Sequence, residues 1–154
     1  MALSYAVTPS ELSIVVAANA GLRLRCQAIL ARHQISSRGV SLAGAYDLLR
    51  RYRPRVLLLD ATRSPQRALA VLPGLRRLSP ETGVLLLGRR PPSASALLDV
   101  VRRGAWGHLS ERDLLRDLPK AVRIVADRQS WLPRRLSAAI VADLIASDRA
   151  EERI

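Results

Sequence analysis

The chain has 154 residues, a formal net charge of +12, a single cysteine and no phenylalanine. That length suits one domain that buries most of its unfolded surface without disulfide or metal staples, and a lone Cys26 excludes an internal disulfide. No apolar run approaches the ~18 residues of a membrane span, and MALSYAVTPSE lacks the basic segment and apolar core of a secretory leader, so a cytoplasmic protein with no membrane association is expected.

Residues 1–10 read as a leader, 11–130 as the folded domain, and 131–154 as a linker helix with a charged, frayed tail. Leu12 to Ala17 is a short apolar, β-branched run, hence a first strand. A helix over Ala20 to Gln34 follows, with Leu22, Cys26, Ile29, Leu30 and His33 on one stripe. Cys26 on that stripe is core filler, because no neighbour in sequence would lower its pKa. Ile35 to Leu42 is polar enough to be a strand only at a sheet edge. Ala43 to Arg53 is a helix with Ala45, Leu48 and Leu49 inward, stopped by Pro54.

RVLLLD, Arg55 to Asp60, is the stretch that orients the rest: an unbroken apolar run with a carboxylate where it stops reads as a strand buried on both faces. Gln66 to Leu78 has helical period, with Pro73 and Gly74 expected to kink or fray it. Thr82 to Leu87 is a fourth strand. Ser93 caps a helix reaching Arg103. Ala105 to Leu109 is a fifth strand, a helix begins near Asp117 with Pro119 in its first turn, and Pro133 to Ala146 forms a last helix through Leu136, Ile140, Leu144 and Ile145. Strands alternating with helices imply right-handed crossovers and an α/β fold, flavodoxin-like and doubly wound, with a five-stranded parallel sheet of order 2-1-3-4-5 and an extra C-terminal helix. In such sheets the loops beyond the carboxyl ends of the strands form the functional crevice, which places Asp60 at its mouth.

The charge admits nucleic acid or another polyanion as a partner through non-specific binding. The arginines come as scattered pairs, however, several of them in the last turns of helices where cations offset the helix dipole, and aromatics for base stacking are scarce. A solvated basic surface is the simpler reading. His33 and His108 have no second ligand at metal spacing, and Ser64, Ser93 and Ser110 have no activating His and Asp. Neither a metal, a cofactor nor an enzymatic activity is therefore expected.

RYRPRVLLLD around the third strand, RRGAWGHLSERD around the fifth and LPKAVRIVADRQSWLP at the last helix resemble the receiver domain of two-component response regulators, in the version found in NarL/LuxR-type transcription factors. The resemblance implies a signalling module. A working receiver holds Mg2+ on an acidic pair after the first strand and phosphorylates an Asp after the third, with a hydroxyl after the fourth and a Lys after the fifth. By the resemblance those positions are Ala17 and Ala18, Asp60, Gly88 and Glu111, and the switch aromatic is His108. Only the acid survives, so a degenerate pseudo-receiver is expected, with Asp60 a vestigial phosphoacceptor either neutralised by Arg89 or holding a turn through backbone N–H groups.

Such a module acts through protein contacts. The family's surface, fourth helix to fifth strand to fifth helix, falls on Leu97, Val101, Trp106, His108, Val122 and Arg123, with His108 as a surface imidazole and Trp106 as either helix-covered core or an interface anchor for a partner protein or a homodimer. The alternatives are the N-terminal regulatory part of a LuxR-type factor whose DNA-binding domain is absent, and an Arg-rich polyanion binder. By the same resemblance this chain alone should not bind DNA sequence-specifically.

Overall fold

The computed structural model describes residues 14–152. Five parallel strands form one sheet, β1 (Ile14–Ala17), β2 (Arg38–Val40), β3 (Val56–Asp60), β4 (Gly83–Gly88) and β5 (Gly107–Ser110), in the order β2-β1-β3-β4-β5. Six helices connect and flank them: α1 (Ala20–Ala31), α2 (Ala45–Tyr52), α3 (Pro65–Leu78), α4 (Ala94–Arg102), α5 (Leu114–Ala126) and α6 (Arg134–Glu152). The doubly wound, flavodoxin-like arrangement read from the sequence is the observed one.

β3 is the central strand and all five of its residues are buried. Its side chains alternate between the two helical layers. Val56 and Leu58 enter the core under α1 and α5, while Leu57 and Leu59 enter the core under α2, α3 and α4. That two-sided burial explains why the run carries no polar residue until Asp60.

Several boundaries differ from the sequence reading. The α1 stripe holds for Leu22, Cys26, Ile29 and Leu30, but the helix ends at Ala31 and leaves His33 exposed. α3 runs unbroken through Pro73, and at Gly74 a β-carbon would press on the Tyr46 hydroxyl of α2. Glycine thus lets α2 approach α3 there. α5 begins at Leu114 after a 3-10 turn, Glu111–Asp113, rather than near Asp117, leaving Pro119 inside the helix. The carboxylates of Glu111, Asp113 and Asp117 favour the earlier start because they surround the positive end of its dipole. α6 continues through Glu152, so most of the supposed frayed tail is helical. The leader, Leu12 and the Ile140 side chain lie outside the described residues.

β5 is an edge strand, and the chain covers it with its own later segment. Trp131 pairs with Gly107 as an isolated parallel bridge, and its backbone N–H donates to the Trp106 carbonyl at 3.0 Å. Further along, Arg102 of α4 holds Asp143 of α6 at 2.5 Å and donates to Ser147 at 3.4 Å. A β-carbon at Gly107 would collide with the Trp131 carbonyl, which is backbone and cannot swing aside. Gly107→Val is therefore expected to lift the Trp131 segment off β5 at a cost of about 1–3 kcal/mol. A red-shifted tryptophan emission with faster proteolysis after Asp127 would report it.

Candidate functional site

The crevice lies at the carboxyl ends of β1, β3 and β4. Asp60 ends β3 and is buried, 7% exposed. Its carboxylate meets no cation among the described residues. One oxygen, Oδ2, accepts from the Asn19 backbone N–H at 3.2 Å and from Asn19 Nδ2 at 2.9 Å. The other, Oδ1, accepts from the Thr62 backbone N–H at 2.8 Å and from Thr62 Oγ1 at 2.5 Å. Burial raises the pKa of this carboxyl, but the Thr62 and Asn19 donors outweigh it and leave the group below the usual carboxylate range. Of the two roles expected for Asp60, holding a turn through N–H groups is thus the one observed, and neutralisation by Arg89 is not.

Sequence reasoning missed Asn19. The residue caps α1, its Oδ1 accepting from the Leu22 N–H at 3.1 Å, while its amide nitrogen ties the β1–α1 loop to β3. The signal was present, an Asn directly before a helix, but its second partner is 41 positions away. Thr62 was missed for the opposite reason, standing in a loop judged only by its proline. Asn19→Ala removes the cap and one donor together. The expected outcome is a loss of about 1–3 kcal/mol in denaturant unfolding, with the Asp60 pKa rising in a carboxyl carbon NMR titration.

The other positions the resemblance pointed to lie at or after the carboxyl ends of β1, β4 and β5. Ala17 and Ala18 are fully buried and present only methyl groups. Gly88 ends β4, Arg89 follows it exposed, and Glu111 opens the turn after β5. No group of three or more His, Cys, Asp or Glu able to hold a metal ion exists among the described residues. Cys26 is buried, and that burial pushes its thiol up to about 12, as a core residue requires.

His108 is not a surface imidazole. It is half-buried, and its ring lies where a β-carbon on Gly88 would stand. The missing side chain of Gly88 is what admits it. Burial holds the imidazole down at about 4, against an ordinary 6.5. The unfolded chain already takes up this proton below pH 6.5, so the contribution to stability is complete above that value and falls as the pH drops toward 4, by up to about 3 kcal/mol. Asp60 adds a second loss, below its ordinary 3.8, because its folded pKa is the lower one. Gly88→Ser is expected to evict the ring. An NMR titration would then show the His108 pKa returning toward 6.5, and the stability loss between pH 6.5 and 4 would shrink.

The proposed contact surface is largely internal. Leu97 and Val122 are 1% exposed because they sit on the inward stripes of α4 and α5. Val101 and Trp106 are half-buried, and Trp106 packs against the α1–α5 core alongside Trp131. Arg123 is exposed but turns toward α1, donating to the His33 carbonyl at 3.4 Å. Between α4 and β5 runs a groove of about 430 Å³ whose lining includes Leu97, His108, Trp131 and Leu136. The chain's own linker forms one wall of it.

No protein-family model matches the chain, and no curated protein matches it. Solved structures do. A response regulator from Thermotoga maritima superposes with a TM-score of 0.67 at 17% identity, covering 75% of this chain and 98% of its own. A LuxR-family two-component response regulator from Aurantimonas sp. SI85-9A1 gives 0.68 at 14%, covering 86% and 96%. A LuxR-family DNA-binding response regulator from Silicibacter pomeroyi gives 0.67 at 19%, covering 80% and 98%. The fold is that of a response-regulator receiver domain. At these identities the likeness concerns the fold, and the chemistry must be argued from the residues themselves. No helix among the described residues is long and apolar enough to cross a membrane.

Proposed function

We propose that this receiver-like domain, residues 11–130 with the following linker helix, serves signalling or transcription regulation through protein contacts and does so without phosphotransfer. The observation that supports this most directly is the state of Asp60. A phosphoacceptor needs one carboxylate oxygen free to attack and the other free for a metal ion, and here each oxygen accepts two hydrogen bonds from uncharged donors.

The surroundings point the same way. Transfer of a phosphoryl group needs cations around its oxygens. Ala17 and Ala18 cannot bind Mg2+, Gly88 has no hydroxyl, and Glu111 would repel the incoming phosphate. A cation gained from Arg63 or Arg67, which line the small crevice of about 230 Å³ beside Asp60 and Asn19, would not replace an octahedral oxygen cage. Removing a hydrogen-bonded buried carboxylate from its four donors would also cost more than it returns.

The regulatory part of a LuxR-type factor is the second reading. Two of the superposed structures are LuxR-family regulators, and α6 follows the receiver-like unit in sequence, where a connector to a further unit would stand. Both readings share the same inert acid.

Incubation with Mg2+ and acetyl phosphate is expected to give no adduct by intact mass, and beryllofluoride no shift in backbone amide spectra. An adduct that disappears in Asp60→Asn would contradict the proposal.

A further inference from the structure

A second opening adjoins the Asp60 site, sharing Thr62 with it. A cavity of about 810 Å³ lies between α3 and α4, above the ends of β4 and β5. Small residues line it, Ala61 after β3 and Ala96 in the first turn of α4. Leu69, Leu86 and Val100 give it apolar walls. A volume of that size and lining falls in the range of pockets for small organic molecules.

Its lining carries both signs, Arg89 and Arg90 on one hand and Asp99 and Glu111 on the other, besides Thr62 and His108. Arg89 and Arg90 both line it, and among the described residues neither has a carboxylate partner. Asp99, also on the lining, is engaged by Arg103 at 3.2 Å. Glu111 is the remaining carboxylate and would accept from a hydroxyl or amino group. His108 closes the cavity on the β5 side, and the same ring lines the neighbouring groove that Trp131 and Leu136 wall.

We propose that this cavity binds a small organic anion with an apolar body, its charge on Arg89 and Arg90, and that the shared His108 wall passes its occupancy to the C-terminal segment. The apolar walls supply the burial, and two guanidiniums without a carboxylate partner among the described residues supply a bidentate or paired contact that a neutral molecule cannot use. The inference goes beyond the signalling role and needs no chemistry at Asp60.

The test uses 2-naphthoate, with its methyl ester as the uncharged comparison, titrated into the full chain without Mg2+ or phosphodonor. Saturable, submillimolar binding of the acid by calorimetry is expected, with the ester at least about tenfold weaker. Arg89→Glu with Arg90→Glu should weaken the acid by about the same factor, and Ala96→Trp should abolish binding by filling the cavity. Arg50→Glu with Arg51→Glu makes the same change in net charge on α2 and should leave binding unaltered. Circular dichroism on each variant separates loss of the site from loss of the fold. No binding by the native chain, binding that survives Ala96→Trp, or equal weakening by the α2 variant would overturn the site. Binding that leaves the Trp131 indole resonance unmoved would overturn the relay through His108.

Discussion

A carboxylate can end a buried strand only if its surroundings replace the water it gives up. At the end of β3 that replacement comes from two short side chains and their backbones, Asn19 from the first loop and Thr62 from the third. The arrangement ties three consecutive parts of the crevice together: the cap of α1, the end of the central strand and the turn into α3. It is also self-sufficient. No cation is needed to make Asp60 tolerable, which is why the carboxyl stays ionised despite its burial, and the alanines at 17 and 18 bring no further charge to the crevice. Had those positions been acidic, three carboxylates in one crevice would have required a divalent ion.

A second consequence of the altered pocket is found on the other side of β4. With no side chain at Gly88, the His108 imidazole turns inward and becomes part of the interior, neutral and unable to report to solvent as a surface ring would. Gly88 and His108 are thus one packing arrangement, the ring standing where a β-carbon on Gly88 would be. The same economy of volume opens the space between α3 and α4, because a ring at the β5 side cannot also fill the region above Ala96.

Much of this was legible in the sequence. Short apolar runs ending in turn residues, spaced by helical periods, are enough to give a doubly wound parallel sheet, and the right-handed crossovers leave only a few strand orders, of which 2-1-3-4-5 is the one observed. Asp60 could be placed because its strand end is well marked, whereas Ala17, Ala18, Gly88 and Glu111 came only from the resemblance. What escaped was everything decided by contacts between distant segments. Asn19 reads as a helix cap until its partner across 41 positions is known. His108 reads as exposed because a period of two in a short edge strand does not reveal that the facing residue is glycine. Leu97 and Val122 enter the contact surface only through the resemblance, which does not say that these two residues lie on the inward stripes of α4 and α5.

The edge of β5 brings these threads together. An unpaired parallel edge invites pairing by another chain, and proteins commonly blunt it with charge, with proline or with a cover. Here the cover is intramolecular: Trp131 bridges to Gly107, and α6 is held to α4 by the contacts of Arg102 with Asp143 and Ser147. The ion pair is half-exposed on both sides and screened by salt, so it contributes little. The backbone bridge is conditional on a single glycine. A cover held this weakly lies at the low end of local stability, where segments open before the domain unfolds. Any partner that approaches the α4–β5–α5 side must therefore compete with Trp131 and Leu136 for the groove beside His108. In this receiver fold the segment after α5 occupies the surface that, by the resemblance, would receive the partner, and its release is the change a partner could read.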